Sequence, residues 1–427
     1  MGMSTALHLK GNNYSNASAA FYIADLIAVL PNVLILNKVP ASKWLAVCLV
    51  GWGITTACHA ALTDYAGLLA VRVISGALES GIPPSLMLLS SQYFKRDEQA
   101  TRFAFWYTGL GNGQIIGALI SYGFQFVSPH HHFAGWRIMF ILLGLLTILL
   151  GVFVFFFVPN SPMEAKFLKP AERVALLEHV KVNQTGISGS RFHPGQLLEA
   201  TLDPQIWIVF VLIILQSAGA GVITTYSATL LRTFGYTPKQ SALLNIPSGV
   251  VNIITTLAYA FYVRYGGSRW SVTLAGSLLA LIGACLLSFI PHSNKSGLLA
   301  GLYLVNVMPG ISNITFQWLT CNTAGHTKRA FATAWMNAAF AIANIIGPET
   351  FKARDAPLYK PAKLTLVIMW SVGVVLAMTL ATYYALANKA RDKVAQAARD
   401  EDDNAVDEKQ GFSGLTDVQN KTFRYKW

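Results

Sequence analysis

Charge is scarce in this chain. Of 427 residues only 12% are Asp, Glu, Lys or Arg, about half of what a water-facing globular surface uses. That shortage, with 53% hydrophobic residues, excludes a soluble enzyme and a disordered chain and points to an integral membrane protein. Cysteine is scarce too: Cys48, Cys58, Cys285 and Cys321 lie in or at the ends of apolar stretches, with no C-x-x-C spacing. They read as small buried hydrophobes, so neither a disulfide scaffold nor a metal site is expected. No P-loop, Gly-rich nucleotide turn, zinc spacing or catalytic triad stands out, so no enzymatic activity and no cofactor are expected. Nor is a cleavable signal peptide expected from this stretch: residues 1–16 are polar, and the apolar run that follows carries Asp25 and Pro31.

The net charge of +12 does not mark a nucleic-acid binder. Acids and bases balance in the tail from Asn388 and again in the polar segment 159–204, so the excess sits in short loops, where Lys and Arg set membrane orientation. Between those loops run eleven apolar stretches: 18–36, 44–62, 66–91, 104–127, 136–158, 206–231, 242–263, 271–290, 298–321, 332–350 and 364–387. A spanning helix needs about 20 residues, so an all-α protein with about eleven transmembrane helices is expected. The organisation read from it is an outer segment 1–17, a five-span bundle 18–158, a linker 159–205, a six-span bundle 206–388 and a disordered tail 389–427. The linker holds an amphipathic stretch, 170–182, beside Gly/Ser-rich 186–191. Loop charges orient linker and tail to the cytoplasm and the N-terminus outside, although the loop bearing Lys352, Arg354, Lys360 and Lys363 runs against the rule.

Six motifs occur in order: AVRVISGALESGIPP from Ala70, GWRIMFILLG from Gly135, VPNSP from Val158, FGYTPKQSALLNIP from Phe234, NTAGHTKRAFATA from Asn322 and IIGPETFKARDAPLYK from Ile345. Together they resemble the anion:cation symporter family of the major facilitator superfamily, the group of fungal allantoate, nicotinate, pantothenate and biotin permeases and bacterial tartrate transporters. The first is similar to that family's R-x-x-x-G-x-x-E-[AS]-x-x-x-P helix. The resemblance covers about residues 9–388 and implies two helical bundles that move a small solute by alternating access. It begins at the family's second membrane helix; the first is lacking, either because translation starts upstream of Met1 or because the protein is truncated. Two further departures stand out. Val29 holds a place where the family usually has an acid, with Asp25 one turn earlier, and LNKVPASKWL lacks the Asp of the superfamily's loop after the second helix.

An ionisable residue in lipid is costly and is read first as functional. Arg72 and Glu79 are seven residues apart on one stretch, hence on one helical face about 10 Å apart. A guanidinium beside a water-filled passage can anchor a carboxylate substrate; the competing reading is a structural Arg bonded to carbonyls. Glu79 is the better proton carrier, and Asp25 either replaces the acid lost at Val29 or marks drift. Asn306, Asn313 and Gln317 form an amide stripe at 0, +7 and +11, with Gln216 and Asn337 on neighbouring spans. They suit small polar ligands such as ureides, amides or heteroaromatic acids, against interhelical hydrogen bonding as the alternative. Gly109, Gly113 and Gly117 suggest a close-packing face. His130, His131 and His132 read as a solvated outer loop. Sequons at Asn13, Asn16 and Asn294 fall outside, where glycosylation is expected.

The resemblance therefore implies a monomeric secondary transporter of the plasma membrane. It would move a small organic anion or a vitamin-like or nitrogenous compound by proton symport, with the small-molecule substrate, protons and the lipid bilayer as its partners and no nucleic acid. Export of a secondary metabolite from a fungal biosynthetic cluster and a transport-inactive sensor or remnant are the alternatives.

Overall fold

The computed structural model describes residues 3–36, 38–94, 102, 104–126, 134–181, 193–291, 293–351, 355, 359–401, 416–420 and 423–426. All regular elements among them are helical. After a single turn at Met3–Ala6 come α1 (Asn13–Leu36), α2 (Ala41–Cys58), α3 (Tyr65–Glu79), α4 (Ile82–Tyr93), α5 (Gly109–Phe124) and α6 (Gly135–Phe157). The linker contributes α7 (Pro170–Lys181) and α8 (Pro194–Leu202). Then follow α9 (Pro204–Thr233), α10 (Pro238–Leu243), α11 (Ile246–Arg264), α12 (Arg269–Phe289), α13 (Lys295–Val305), α14 (Met308–Asn322), α15 (His326–Glu349) and α16 (Lys360–Glu401). Single helices or consecutive pairs make 10 segments long and apolar enough to cross a bilayer. The expected span at 104–127 yields the 16-residue α5.

Three of the apolar runs are broken helices, and the breaks follow from proline chemistry. Pro83 and Pro84 have no N–H for the carbonyls one turn back, Glu79 and Ser80, so the third run stops at Glu79 and restarts at Ile82. Pro309 does the same to Val305, separating α13 from α14 at Asn306 and Val307. Asp64 fixes the start of α3 by accepting from Gly67 N at 2.8 Å. Thr237 and Gln240 form a reciprocal capping box at α10, which ends at Leu243, whose carbonyl lies one turn before Pro247.

Two compact units result. The first comprises 1–187, 221–253 and 344–362; the second comprises 188–220, 254–343 and 363–427. In the first, α2 and α6 approach through Gly53 and Gly144: a Cβ on either would lie 2.8 Å or 2.6 Å from the other's carbonyl oxygen. The expected close-packing face of α5 is corrected. A Cβ at Gly109, Gly113 or Gly117 would meet no atom within 4 Å, whereas Gly111 lies against Gly249 and Ile253 of α11. The repeat of four gave a face but not the face that faces a partner.

The second unit is built around Trp318, Leu319, Ala332, Met336, Ala339, Leu380 and Tyr384, packed with Ile206, Val209 and Ile213. Phe210 stacks on Trp335 at 5.0 Å and Phe331 on the same ring at 5.4 Å. Among lipid tails such contacts hold helices together by dispersion rather than by transfer from water. Outward, α1 shows Ile23, Ile27, Leu30 and Leu34 and α6 shows Leu145, Leu149, Phe153, Phe156 and Phe157, faces suited to lipid.

The expectation of a disordered tail is corrected for the described residues 389–401, 416–420 and 423–426. Helix α16 continues to Glu401, and residues 416–420 and 423–426 pack onto the second unit, with Thr416 and Asp417 fully buried. A polar composition predicts disorder only when the segment finds no partner groups, and here it finds many. His130, His131 and His132 lie outside the described residues.

Candidate functional site

In the first unit, the side chains singled out on α1 and α3 converge. Arg72, Gly76 and Glu79 follow one another at intervals of four and three on α3, within about 60° around its axis. Gly76 is buried, and a Cβ there would fall on the carbonyl oxygen of Phe21, 3.0 Å from Phe21 C and 3.3 Å from Asp25 N. The missing side chain thus lets α1 lie directly on α3, with Asp25 opposite the middle of the Arg72–Glu79 stripe. Glu79 lies in the electrostatic field of Asp25 and Arg72, and Tyr22 in that of all three. All three charged groups are half-buried. They share a field rather than a direct ion pair: the salt bridges among the described residues join Lys328 and Arg424 to their partners. The Arg72 Nε is buried with no hydrogen-bond partner, which disfavours a purely structural Arg bonded to carbonyls.

Glu79 ends α3 at the proline break, where its charge adds to the negative end of the helix dipole. The break is braced by a residue that sequence reasoning passed over. Asn32, 5% exposed, donates to Ala28 O at 2.9 Å, Ala77 O at 3.1 Å and Ser80 Oγ at 2.6 Å, and accepts from Trp44 Nε1 at 3.0 Å. Gly81 leaves room for this: a Cβ there would lie 2.8 Å from Asn32 Oδ1 and 2.7 Å from Cys48 Sγ. The available signal was Asn32 directly after Pro31, three residues past Val29. His59 was missed too. Its ring stacks on Phe140 at 4.8 Å, its Nδ1 lies 3.0 Å from Thr55 O, and Arg72 acts on it electrostatically. A carbonyl partner requires the proton on Nδ1, so the neutral ring presents Nε2 as an acceptor. That atom is buried and unpartnered.

In the second unit the amide stripe is only partly assembled. Gln317 Nε2 donates to Asn313 Oδ1 at 3.4 Å, and Asn306 sits at the α13–α14 break with its amide on Leu302 O at 2.9 Å. Gln216 joins a different face. It accepts from Thr315 Oγ1 at 3.2 Å, and Thr315 lies about 200° round α14 from Asn313. The Gln216 Nε2 is nevertheless buried without a partner. Asn337 is exposed and bonded to Thr333 O of its own helix at 2.9 Å, away from the stripe.

Two interrupted membrane helices, α3–α4 and α13–α14, thus carry Arg72 and Glu79 in the first unit and Asn306, Asn313 and Gln317 in the second. Helices broken at membrane depth put backbone dipoles and polar side chains where a solute can meet them, the construction of secondary carriers. Comparison with known proteins agrees. The profile described as Major Facilitator Superfamily matches residues 1–348. The chain belongs to the major facilitator superfamily. It is similar to a thiamine pathway transporter of Saccharomyces cerevisiae, 34% identical over 98% of this chain and 79% of that protein. It is also similar to an allantoate permease of the same yeast, 32% identical over 100% of this chain and 80% of the permease. An uncharacterized transporter of Schizosaccharomyces pombe is 35% identical over 100% and 82%.

The protein is therefore a multi-pass membrane transporter with a small-molecule substrate. As for the expected glycosylation sites of this superfamily member, Asn13 and Asn16 lie in the first turn of α1 and Asn294 caps α13 by accepting from Gly297 N at 3.0 Å. Asn16 and Asn294 are exposed.

Proposed function

We propose that this transporter takes up a small organic anion, of vitamin-like or nitrogenous character, together with protons by alternating access, as a member of the anion:cation symporter group. The observation that carries the reading is the half-buried trio of Arg72, Asp25 and Glu79 around the Gly76 contact, with the Arg72 Nε left without a bond. Charge counting then links the two solutes. One guanidinium and two carboxylates leave a net charge of −1, and an incoming anion makes it −2. In a low-dielectric site that surplus is cancelled most cheaply by protons on the carboxyls. Anion and proton binding thus favour each other, which is the thermodynamic content of symport.

In this reading Arg72 holds the anionic group, Glu79 carries the proton and Asp25 shares it. The acceptor Nε2 of His59 takes an N–H or O–H of the solute. Within the second unit, Asn313 and Gln317, with Asn306 at the helix break, supply uncharged donors and acceptors suited to a small polar solute, while Gln216 and Asn337 lie apart from that stripe. The resemblance to plasma-membrane permeases supports that membrane as the location, and a single chain suffices.

Uptake of labelled allantoate and nicotinate into yeast lacking the corresponding permeases tests this. Wild-type uptake should rise as external pH falls, collapse with a protonophore, vanish in Arg72→Ala and recover only weakly in Arg72→Lys, which cannot form a planar bidentate pair. Undiminished uptake in Arg72→Ala would remove the anchor; accumulation indifferent to the protonophore would remove the coupling.

A further inference from the structure

The second unit buries a complete lysine. Lys328, at the start of α15, is fully buried, and its Nζ lies 2.8 Å from Glu199 Oε1, 2.6 Å from Asp203 Oδ2 and 2.8 Å from Asp417 Oδ1. An ammonium has three N–H groups, and each has a carboxylate. Two of those acids come from the end of the linker, on and just after α8. The third comes from the far end of the chain.

Asp417 is the centre of a docked segment. Its Oδ1 also accepts from Ala324 N at 3.2 Å, and its Oδ2 accepts from Gln205 Nε2 and from the Tyr425 hydroxyl, both at 3.0 Å. Beside it Thr416 Oγ1 donates to Glu199 Oε2 at 2.8 Å. Arg391 of α16 donates to Asp417 O and Phe423 O, both at 2.7 Å, and to the Tyr425 hydroxyl at 3.1 Å.

Two asparagines then read the backbone of the segment. Asn388 accepts from Tyr425 N and donates to Tyr425 O, both at 2.9 Å. Asn322 accepts from Lys426 N at 2.7 Å and donates to Lys426 O at 2.9 Å. Each amide thus meets one residue with a donor and an acceptor, as a neighbouring strand would. The Tyr425 ring stacks on Tyr384 at 5.0 Å, and Trp318 Nε1 donates to Lys426 O at 3.2 Å.

We propose that residues 416–420 and 423–426 form a releasable strap that fastens α8 to the end of α14, the start of α15 and the turn of α16 around Asn388 and Arg391, and that its docking sets how freely this part of the second unit moves. Three features argue for a strap and against a mere piece of the fold. Lys328 keeps Glu199 and Asp203 when Asp417 leaves, so undocking does not strand the buried ammonium. The receiving groups, Asn322, Asn388, Arg391 and the Trp318 indole, are all polar at their tips and can take water instead. Apart from the Tyr425 ring, packed with Phe423 against Tyr384, and the Asp417–Lys328 pair, the strap is held by hydrogen bonds to such groups, each of modest net worth, which keeps the free state within reach of the docked one. Its weak point is Thr416, wedged between Glu199 and its own neighbour Asp417. A negative charge introduced there meets two carboxylates.

The test is hydrogen exchange on the full-length protein in lipid nanodiscs, compared with a stop after Gly414, with Thr416→Glu and with Asp392→Asn. The last breaks only the exposed Arg424–Asp392 pair and should behave as wild type. In the truncated and Thr416→Glu proteins, amides of 196–205, 319–328 and 384–392 should exchange about ten- to a hundredfold faster, what losing one or two charged hydrogen bonds predicts. Amides of 41–58 and 135–157 should stay as protected as before. A synthetic peptide of residues 415–427 added to the truncated protein should restore protection, and the same peptide with Asp417→Asn should not. Unchanged protection in the truncated protein would overturn the proposal. So would loss of protection throughout the chain without rescue by the peptide, since the segment would then be an inseparable part of the fold.

Discussion

Gly76→Ala is the sharpest test of how packing builds the Arg72 site. The new methyl would fall on the Phe21 carbonyl oxygen, with Phe21 C at 3.0 Å and Asp25 N at 3.3 Å. All three are backbone atoms, so no side-chain rotation relieves the overlap and α1 must retreat by about 1 Å to regain ordinary contact. If about 40 atom pairs along the α1–α3 seam each contribute about 0.15 kcal/mol, a gap of that size forfeits a quarter to a half of the total. The loss is about 1.5–3 kcal/mol, the usual range for overpacking. Alanine's better helix propensity returns no more than about 1 kcal/mol of it.

Gly113→Ala is the matched control, because a Cβ there meets no atom within 4 Å. It should be neutral or stabilising by up to about 1 kcal/mol. Thermal unfolding of both purified variants in the same detergent measures the difference, and uptake assays should show Gly76→Ala impaired further because Asp25 moves with α1. Equal stability of the two variants would refute the inference that the α1–α3 contact positions the charged trio.

Other expectations follow from the polar clusters. Asn32→Leu should destabilise by about 2–4 kcal/mol, since it strands the Trp44 indole N–H and removes the amide donor that Ala77 O and Ser80 Oγ accept from at a helix break, and a denaturant titration reads it. Lys328→Met should cost about 3–5 kcal/mol by leaving the carboxylates of Glu199, Asp203 and Asp417 facing one another; a second change, Asp417→Asn, should recover part of that loss in the same titration. Endoglycosidase should shorten the gel mobility shift of the secreted-pathway protein, and Asn16→Gln with Asn294→Gln should abolish most of it. A wild-type band unaffected by the enzyme would contradict the outside placement of these sequons.

Much of the architecture was legible because membrane helices announce themselves by length and apolarity, and because prolines at 83, 84 and 309 mark where carbonyls lose their donors. The pairing of faces was not. Arg72 and Glu79 could be placed on one face from their spacing, but that Asp25 sits opposite Gly76 depends on which helix α3 meets, and no intrahelical period encodes that. The same gap explains why Gly111 packs while Gly109, Gly113 and Gly117 do not, and why Gln216 bonds Thr315 instead of joining Asn313 and Gln317. Lys328 was visible inside the Asn322–Ala334 motif, yet its third partner lies 89 residues downstream in a segment whose composition reads as solvated. Phe423 and Tyr425, aromatic residues in an otherwise polar tail, were the available clue that it docks.

The two charged clusters differ in a way that explains their proposed roles. Around Lys328 every N–H of the cation has an oxygen at 2.6–2.8 Å, and a cluster so satisfied has nothing left to offer a solute. It can only hold, or let go of, the segment that completes it. Around Arg72 the cation and its two carboxyls are close enough to feel one another but form no direct pair, and a guanidinium nitrogen and the His59 Nε2 remain buried without partners. Unsatisfied polar atoms cost free energy unless something arrives to pair with them. A carrier needs a site of the second kind to bind its solute weakly enough to release it, and attachments of the first kind to keep the surrounding helices moving as one body. The sequence supplies both with few charges, because in a bilayer each one is too costly to place without use.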